Sequence, residues 1–131
     1  MVLPLLKTDL LTIMQAVEAE TLADLTVEWS DGAAACVILA SGGYPSHYEK
    51  GLPITFPAAF PANVTCYHAG DKRTADGTLV TSGGRVLGIT ATAPTLAQAL
   101  SDAYAAADTV AFSGKYMRRD IGQRAMRAME G

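Results

Sequence analysis

Residues 81–91 read Thr-Ser-Gly-Gly-Arg-Val-Leu-Gly-Ile-Thr-Ala and place one cation, Arg85, between a glycine pair and an apolar, β-branched run. A guanidinium presents a planar fork of donors that suits phosphate and carboxylate groups. Adjacent glycines, Gly83 and Gly84, allow positive φ and a close approach of backbone to a ligand. Residues 85–92 alternate like a strand that buries one face. The chemistry this permits is anion recognition by a lone arginine at a strand start, beside bare backbone. The same letters also spell a hairpin: Asp76-Gly77 and Gly83-Gly84 are both turn signals, which leaves Arg85 a solvated strand residue. Local pattern alone favours the hairpin.

A second cationic group, Tyr116-Met117-Arg118-Arg119-Asp120, sets two guanidiniums where an anion could bind. Arg-Arg-Asp at a helix start more often forms an ion pair and a cap. Tyr44-Pro45 after Gly42-Gly43 reads equally as a ligand-facing loop tip or as a rigid turn packing Tyr44 on the core. No nucleophile with a nearby base can be assembled. Ser41 before Gly42-Gly43 lacks the Gly-x-Ser-x-Gly order of a nucleophile elbow. Residues 83–88 lack the Gly-Lys-Ser/Thr of a phosphate loop. His47 and His68 stand alone, and no His/Cys pair has metal-ligand spacing, so no metal site is expected.

The elements that must position these residues belong to a chain of 131 residues, half of them apolar and 18% charged, with net charge −3. That length suits one domain with its own core. There is no basic stripe, so nucleic acid is not expected as a partner. No apolar run reaches the ~18 residues of a membrane span. Lys115, Arg118, Arg119, Arg124 and Arg127 cluster late and read as a solvated helix face. Cys36 and Cys66 lie in apolar, strand-like runs and read as reduced, buried thiols of a cytoplasmic protein, although a disulfide between neighbouring strands stays open.

Along the chain, residues 3–17 carry apolar residues at helical spacing, with Thr8-Asp9 as a cap pair, and suggest two short helical pieces. Residues 21–25 add a turn. Residues 33–40 read as a buried central strand. Residues 41–61 are loop, rich in Gly and Pro. Residues 64–68, 78–81 and 85–92 read as strands, and 70–77 as a polar turn. Pro94-Thr95 opens the clearest helix, where Thr95 and Gln98 fit a capping box. Residues 110–112 are extended. Residues 120–129 suggest a last helix capped by Asp120. Strands grouped between helices predict an α+β fold with a mainly antiparallel sheet.

Four stretches together resemble a known family. They are Ala40-Ser41-Gly42-Gly43-Tyr44-Pro45 (followed by Tyr48-Glu49-Lys50-Gly51 and Ile54), His68-Ala69-Gly70, residues 79–88, and Tyr116-Met117-Arg118-Arg119-Asp120-Ile121-Gly122. In this order they resemble the C-terminal domain of phosphoribosylamine–glycine ligases, of the ATP-grasp superfamily. The opening Val2-Leu3-Pro4-Leu5-Leu6-Lys7 is similar to the segment just after the family's metal-binding motif.

The resemblance implies a cytoplasmic parent enzyme of purine synthesis. It joins phosphoribosylamine to glycine with ATP and Mg2+ (or Mn2+), through an acyl phosphate of glycine. The family's metal ligands precede an Arg-Phe-Gly-Asp-Pro-Glu segment that this sequence lacks. Residues 1–30 are then expected to be a helical segment continuing out of an ATP-grasp domain, and residues 31–131 the C-terminal domain. The chain alone is expected to bind no ATP or metal and to be inactive. Its apolar N-terminal helix is a surface for self-association. The analogy makes Gly83, Gly84 and Arg85 candidate phosphate or ribose contacts, with Arg118 and Arg119 behind them. Ser46-His47 departs from the small residues the family carries after Tyr44-Pro45, which argues against a glycine-binding role for that loop. A stand-alone, non-catalytic binding domain sharing the fold is the alternative.

Overall fold

The structure, a computed structural model, describes residues 2–130. Met1 and Gly131, the outer limits of the expected segments 1–30 and 31–131, lie outside it. The order is a 3-10 turn (Leu3–Leu5), α1 (Leu10–Glu18), a second turn (Leu22–Asp24), β1 (Ala33–Ala40), β2 (Val64–His68), β3 (Asp71–Arg73), β4 (Leu79–Thr81), β5 (Arg85–Ala93), α2 (Leu96–Thr109) and α3 (Gln123–Glu130). One antiparallel sheet runs β1-β5-β2 and a second pairs β3 with β4. The α+β fold expected from sequence is therefore present.

The middle strand is β5. The reading of residues 33–40 as a central strand is corrected: β1 lies at the edge. Ala35, Val37 and Leu39 turn under α2, while Ala34, Cys36 and Ile38 line a face without a covering helix, where Ile38 is 41% exposed. An apolar run usually signals cover on both faces, and here half of it is left open. Residues 70–77 are also more than a turn, because Asp71–Arg73 pair with Leu79–Thr81. The 41–61 segment has no helix or strand, yet it is pinned by bridges of Pro53 to Val80 and of Thr55 to Ala111.

β5 does not simply alternate. Its register against β1 slips between Leu39 and Ala40: Leu39 faces Leu87, but Ala40 faces Arg85. The extra residue is Val86. Such a bulge lets two successive side chains share one face, and both Val86 and Leu87 are fully buried in the core. Arg85 is thereby turned to the opposite, open face.

The helices follow their caps. Asp9 accepts the Thr12 N–H at 2.9 Å and starts α1. Thr95 accepts the Gln98 N–H at 3.2 Å and starts α2. The box is only half closed, because the Gln98 amide donates to Asp102 at 2.7 Å instead of returning to the cap. Ala99, Ala103, Ala106 and Ala107, all buried, let α2 lie close on β1 and β5. Asp120 does not cap α3. Its carboxylate takes two hydrogen bonds from Arg118, at 2.8 and 2.7 Å, and the helix starts at Gln123. A guanidinium two residues away is the stronger partner.

The late cations are not one helix face either. Lys115 donates to the carbonyls of Ala107 and Val110, closing the C-terminal end of α2, where a cation also suits the helix dipole.

Cys36 sits opposite Thr90, and Cys66 opposite Ile89. Successive strand residues point to opposite faces. The two thiols thus lie on opposite sides of the sheet, with β5 between their strands, and no disulfide joins them. Burial, helped by the Asp71 charge, pushes the Cys66 thiol up from its ordinary range. At mildly alkaline pH a thiol reagent should modify Cys36 rapidly and Cys66 slowly, and Cys36→Ser should abolish the fast phase. Equal rates in the folded chain would contradict this arrangement.

Candidate functional site

Gly70 and Gly83 touch backbone to backbone. A Cβ on Gly70 would lie 2.9 Å from the Gly83 Cα, and one on Gly83 would lie 3.1 Å from the Gly70 Cα. The Gly70 carbonyl accepts the N–H groups of Ser82 and Gly83 at 2.7 and 2.8 Å. The glycine pair is therefore needed for close approach, and neither Gly83 nor Gly84 has positive φ. Gly84 serves a different neighbour: the Tyr44 ring occupies the space where a Cβ would stand.

Ser41 fastens both glycines from the other side. Its N–H donates to the Gly84 carbonyl at 2.8 Å, and its hydroxyl donates to the Gly83 carbonyl at 2.9 Å. Gly83 thus has both polar backbone atoms engaged. Among the described residues the Gly84 N–H has no protein acceptor. A third segment arrives beside these two, where Tyr116 exchanges backbone hydrogen bonds with Ala40 at 2.8 and 2.9 Å. The Tyr104 hydroxyl steadies that segment from α2, donating to the Arg118 carbonyl and accepting the Ile121 N–H. At the end of β2, the His68 imidazole donates to the nearly buried Asp71 carboxylate at 2.6 Å, which ties Ala69 and Gly70 to β3.

Arg85 stands where these pieces meet. It is exposed, and it has no ion pair among the described residues. A cavity of about 220 Å3 opens on one side, lined by Ala40, Tyr116, Met117, Arg118 and Ile121. A larger one of about 560 Å3 opens on the other, lined by Ala69, Gly70, Gly84 and Leu87. Ile38, Tyr44 and Arg85 belong to both. No carboxylate lines either cavity, so the guanidinium charge is uncompensated.

The two arginines that follow Met117 are committed elsewhere. Arg118 reaches the rim but is held by Asp120. Arg119 turns to α2, where it bonds Asp108 at 2.7 and 3.1 Å and lies over the Tyr104 ring. These guanidiniums hold the carboxyls of Asp108 and Asp120 below their usual range. Ser41 was weighed from sequence only as a nucleophile, and neither Ile38 nor the ring of Tyr116 was singled out as part of a site. Tyr116 had a signal, in the cationic group that it opens. Ile38 had none, because only the sheet order reveals its open face.

Residues 34–124 match the family model described as "Phosphoribosylglycinamide synthetase, C domain". The chain belongs to this family. It is 46% identical over 125 residues to the phosphoribosylamine–glycine ligase of a Nostoc species, covering 94% of this chain and 29% of that protein. It is 43% identical over 127 residues to a trifunctional purine biosynthetic protein of Gallus gallus, covering 95% of this chain and 13% of that protein. The crystal structure of the Thermotoga maritima phosphoribosylamine–glycine ligase superposes with a TM-score of 0.66 at 38% identity, over 82% of this chain and 27% of that one. The chain thus spans less than a third of each of these relatives.

In this C domain all four stretches that carry the resemblance converge on Arg85: Tyr44 from the first, Ala69 and Gly70 from the second, Gly84 and Arg85 from the third, and Tyr116, Met117, Arg118 and Ile121 from the fourth.

Replacing Gly84 by alanine should drive a methyl into the Tyr44 ring and lower stability by about 1–3 kcal/mol. The same substitution in a Tyr44→Ala background should cost much less, a coupling that chemical denaturation of the four-member cycle measures. Additive costs would show that the ring does not confine residue 84.

Proposed function

We propose that this chain is the C-terminal portion of an ATP-dependent carbon–nitrogen ligase. The parent joins phosphoribosylamine to glycine, releasing ADP and phosphate, in purine synthesis in the cytoplasm. The observation that carries the reading is the meeting of four family stretches at one uncompensated guanidinium flanked by open cavities. In this role Arg85 holds the phosphate of the sugar phosphate by a charge-assisted fork. The free Gly84 N–H offers a second donor. Gly83 contributes by position, since its polar atoms are spent on Gly70 and Ser41.

ATP and Mg2+ (or Mn2+) belong to the remainder of the parent. A magnesium ion seeks oxygen ligands, chiefly carboxylates. Among the described residues no group of three or more His, Cys, Asp and Glu converges on a point, and the Arg85 cavities carry none. The residues of this chain therefore do not fit the metal, and no step is routed through it here.

In the complete ligase, Arg85→Ala should raise the KM for phosphoribosylamine about 10- to 100-fold, as expected for one hydrogen-bonded charge. The KM for ATP should change little, and Arg85→Lys should restore part of the loss. Unchanged kinetics for both substrates would remove Arg85 from the site.

The isolated chain should show no ATP turnover dependent on glycine and phosphoribosylamine. It should also sediment above monomer mass through the exposed Leu10, Leu11, Met14 and Val17 of α1. Turnover by the chain alone, or a monomer at high concentration, would contradict the corresponding part of the proposal.

A further inference from the structure

The smaller cavity is left unexplained by the proposed substrates. Ribose, phosphate and glycine are polar at almost every atom, and the larger basin beside Gly70 and Gly84 suits them. The smaller slot is walled by Ile38, Ala40, Met117 and Ile121, with Tyr44 and Tyr116, 41% and 57% exposed, beside them and Arg118, paired with Asp120, at the rim. Away from the two guanidiniums its walls are apolar, so ribose hydroxyls placed there would lose water without gaining partners. It favours a flat, weakly polar ring that can lie against aromatic and aliphatic walls.

The two cavities are not independent. Arg85, Ile38 and Tyr44 line both, so one ligand can span the guanidinium. Its ring would enter the slot, and its anionic end would remain in the polar basin with Arg85 and the Gly84 N–H. The absence of any lining carboxylate makes the charge of this pair of cavities complementary to an anion. Tyr44 is steadied for the purpose by Gly84 beneath it and by an edge contact with Tyr48, at 6.0 Å between ring centres.

We propose that the slot and basin together form a nucleoside monophosphate site, with the base in the slot and the phosphate on Arg85. The proposal rests on the reading of Arg85 as a phosphate contact and adds a ligand class to it. It assigns Tyr116 and Ile38 as residues that select a base over a bare sugar phosphate.

The test titrates the 131-residue chain separately with adenosine monophosphate, ribose 5-phosphate and adenosine, followed by calorimetry and amide chemical shifts. Adenosine monophosphate should bind about tenfold or more tighter than ribose 5-phosphate, the gain expected from one stacked base. Shifts should appear at Ile38, Arg85 and Tyr116. Arg85→Ala should weaken both phosphates. Tyr116→Ala and Ile38→Ser, both exposed positions that leave the backbone pairing intact, should weaken adenosine monophosphate alone. Equal affinity for the two phosphates, with Arg85→Ala weakening both, would overturn the base site and leave Arg85 a phosphate contact. Binding of neither would also overturn the base site, while the Arg85 reading is judged separately by the kinetics of the complete ligase.

Discussion

One extra residue in the middle strand governs the site. Between Arg85 and Leu87 the ladder of β5 against β1 accommodates Val86 without a partner of its own. Two adjacent side chains enter the core where alternation would send only one. The bulky pair Val86 and Leu87 anchors the strand under α2, and Arg85 is delivered to the other face. The bulge is braced from outside, because Ser41 takes the two carbonyls just ahead of it and Gly70 takes the Gly83 N–H. A cation placed this way stands on the most buried strand of the molecule and still reaches solvent.

That placement has an electrostatic meaning. Arginines near a protein surface usually find carboxylates, and Arg118 and Arg119 do so within their own neighbourhood. Arg119 ties its segment to Asp108 on α2, and Arg118 closes on Asp120 within the same segment. Arg85 is surrounded instead by backbone, aliphatic side chains and tyrosine rings. Such a guanidinium is more weakly hydrated than an ammonium group. The walls around it lower the local dielectric, so an arriving anion meets a stronger field than in open water. Around this site the labour is divided: Arg118 and Arg119 brace the segment that follows Tyr116, and Arg85 is left without a carboxylate partner.

Much of this was legible in the sequence, for local reasons. Asp9 and Thr95 announced their helices because a cap is a short-range event between a side chain and an N–H three residues on. The strands at residues 33–40 and 64–68 were evident from composition and β-branching. What escaped notice depended on distant partners. Whether residues 33–40 lie at the centre or the edge is decided by β5, some fifty residues later. The bulge is invisible in residues 85–93 taken alone, since it exists only relative to Leu39 and Ala40. Of the ion pair and cap that Arg-Arg-Asp suggests, the ion pair forms and the cap does not, because the carboxylate that would cap is the one Arg118 claims. Of the two uses that a Gly83-Gly84 pair suggests, a left-handed backbone is absent, and the small size of both residues answers to crowding by Gly70 and Tyr44.

The contact between Gly70 and Gly83 bears on how substitution data for this domain should be understood. A Cβ on Gly70 would run into the Arg85 carbonyl and the Gly83 Cα, and one on Gly83 would crowd the Gly70 Cα, in each case against backbone. A saturation scan would mark these two positions as intolerant, with a severity usually taken as the signature of chemistry. Their intolerance reports the tightness of a joint, whereas Tyr116 and the half-open Ile38, both exposed, would score as far more permissive.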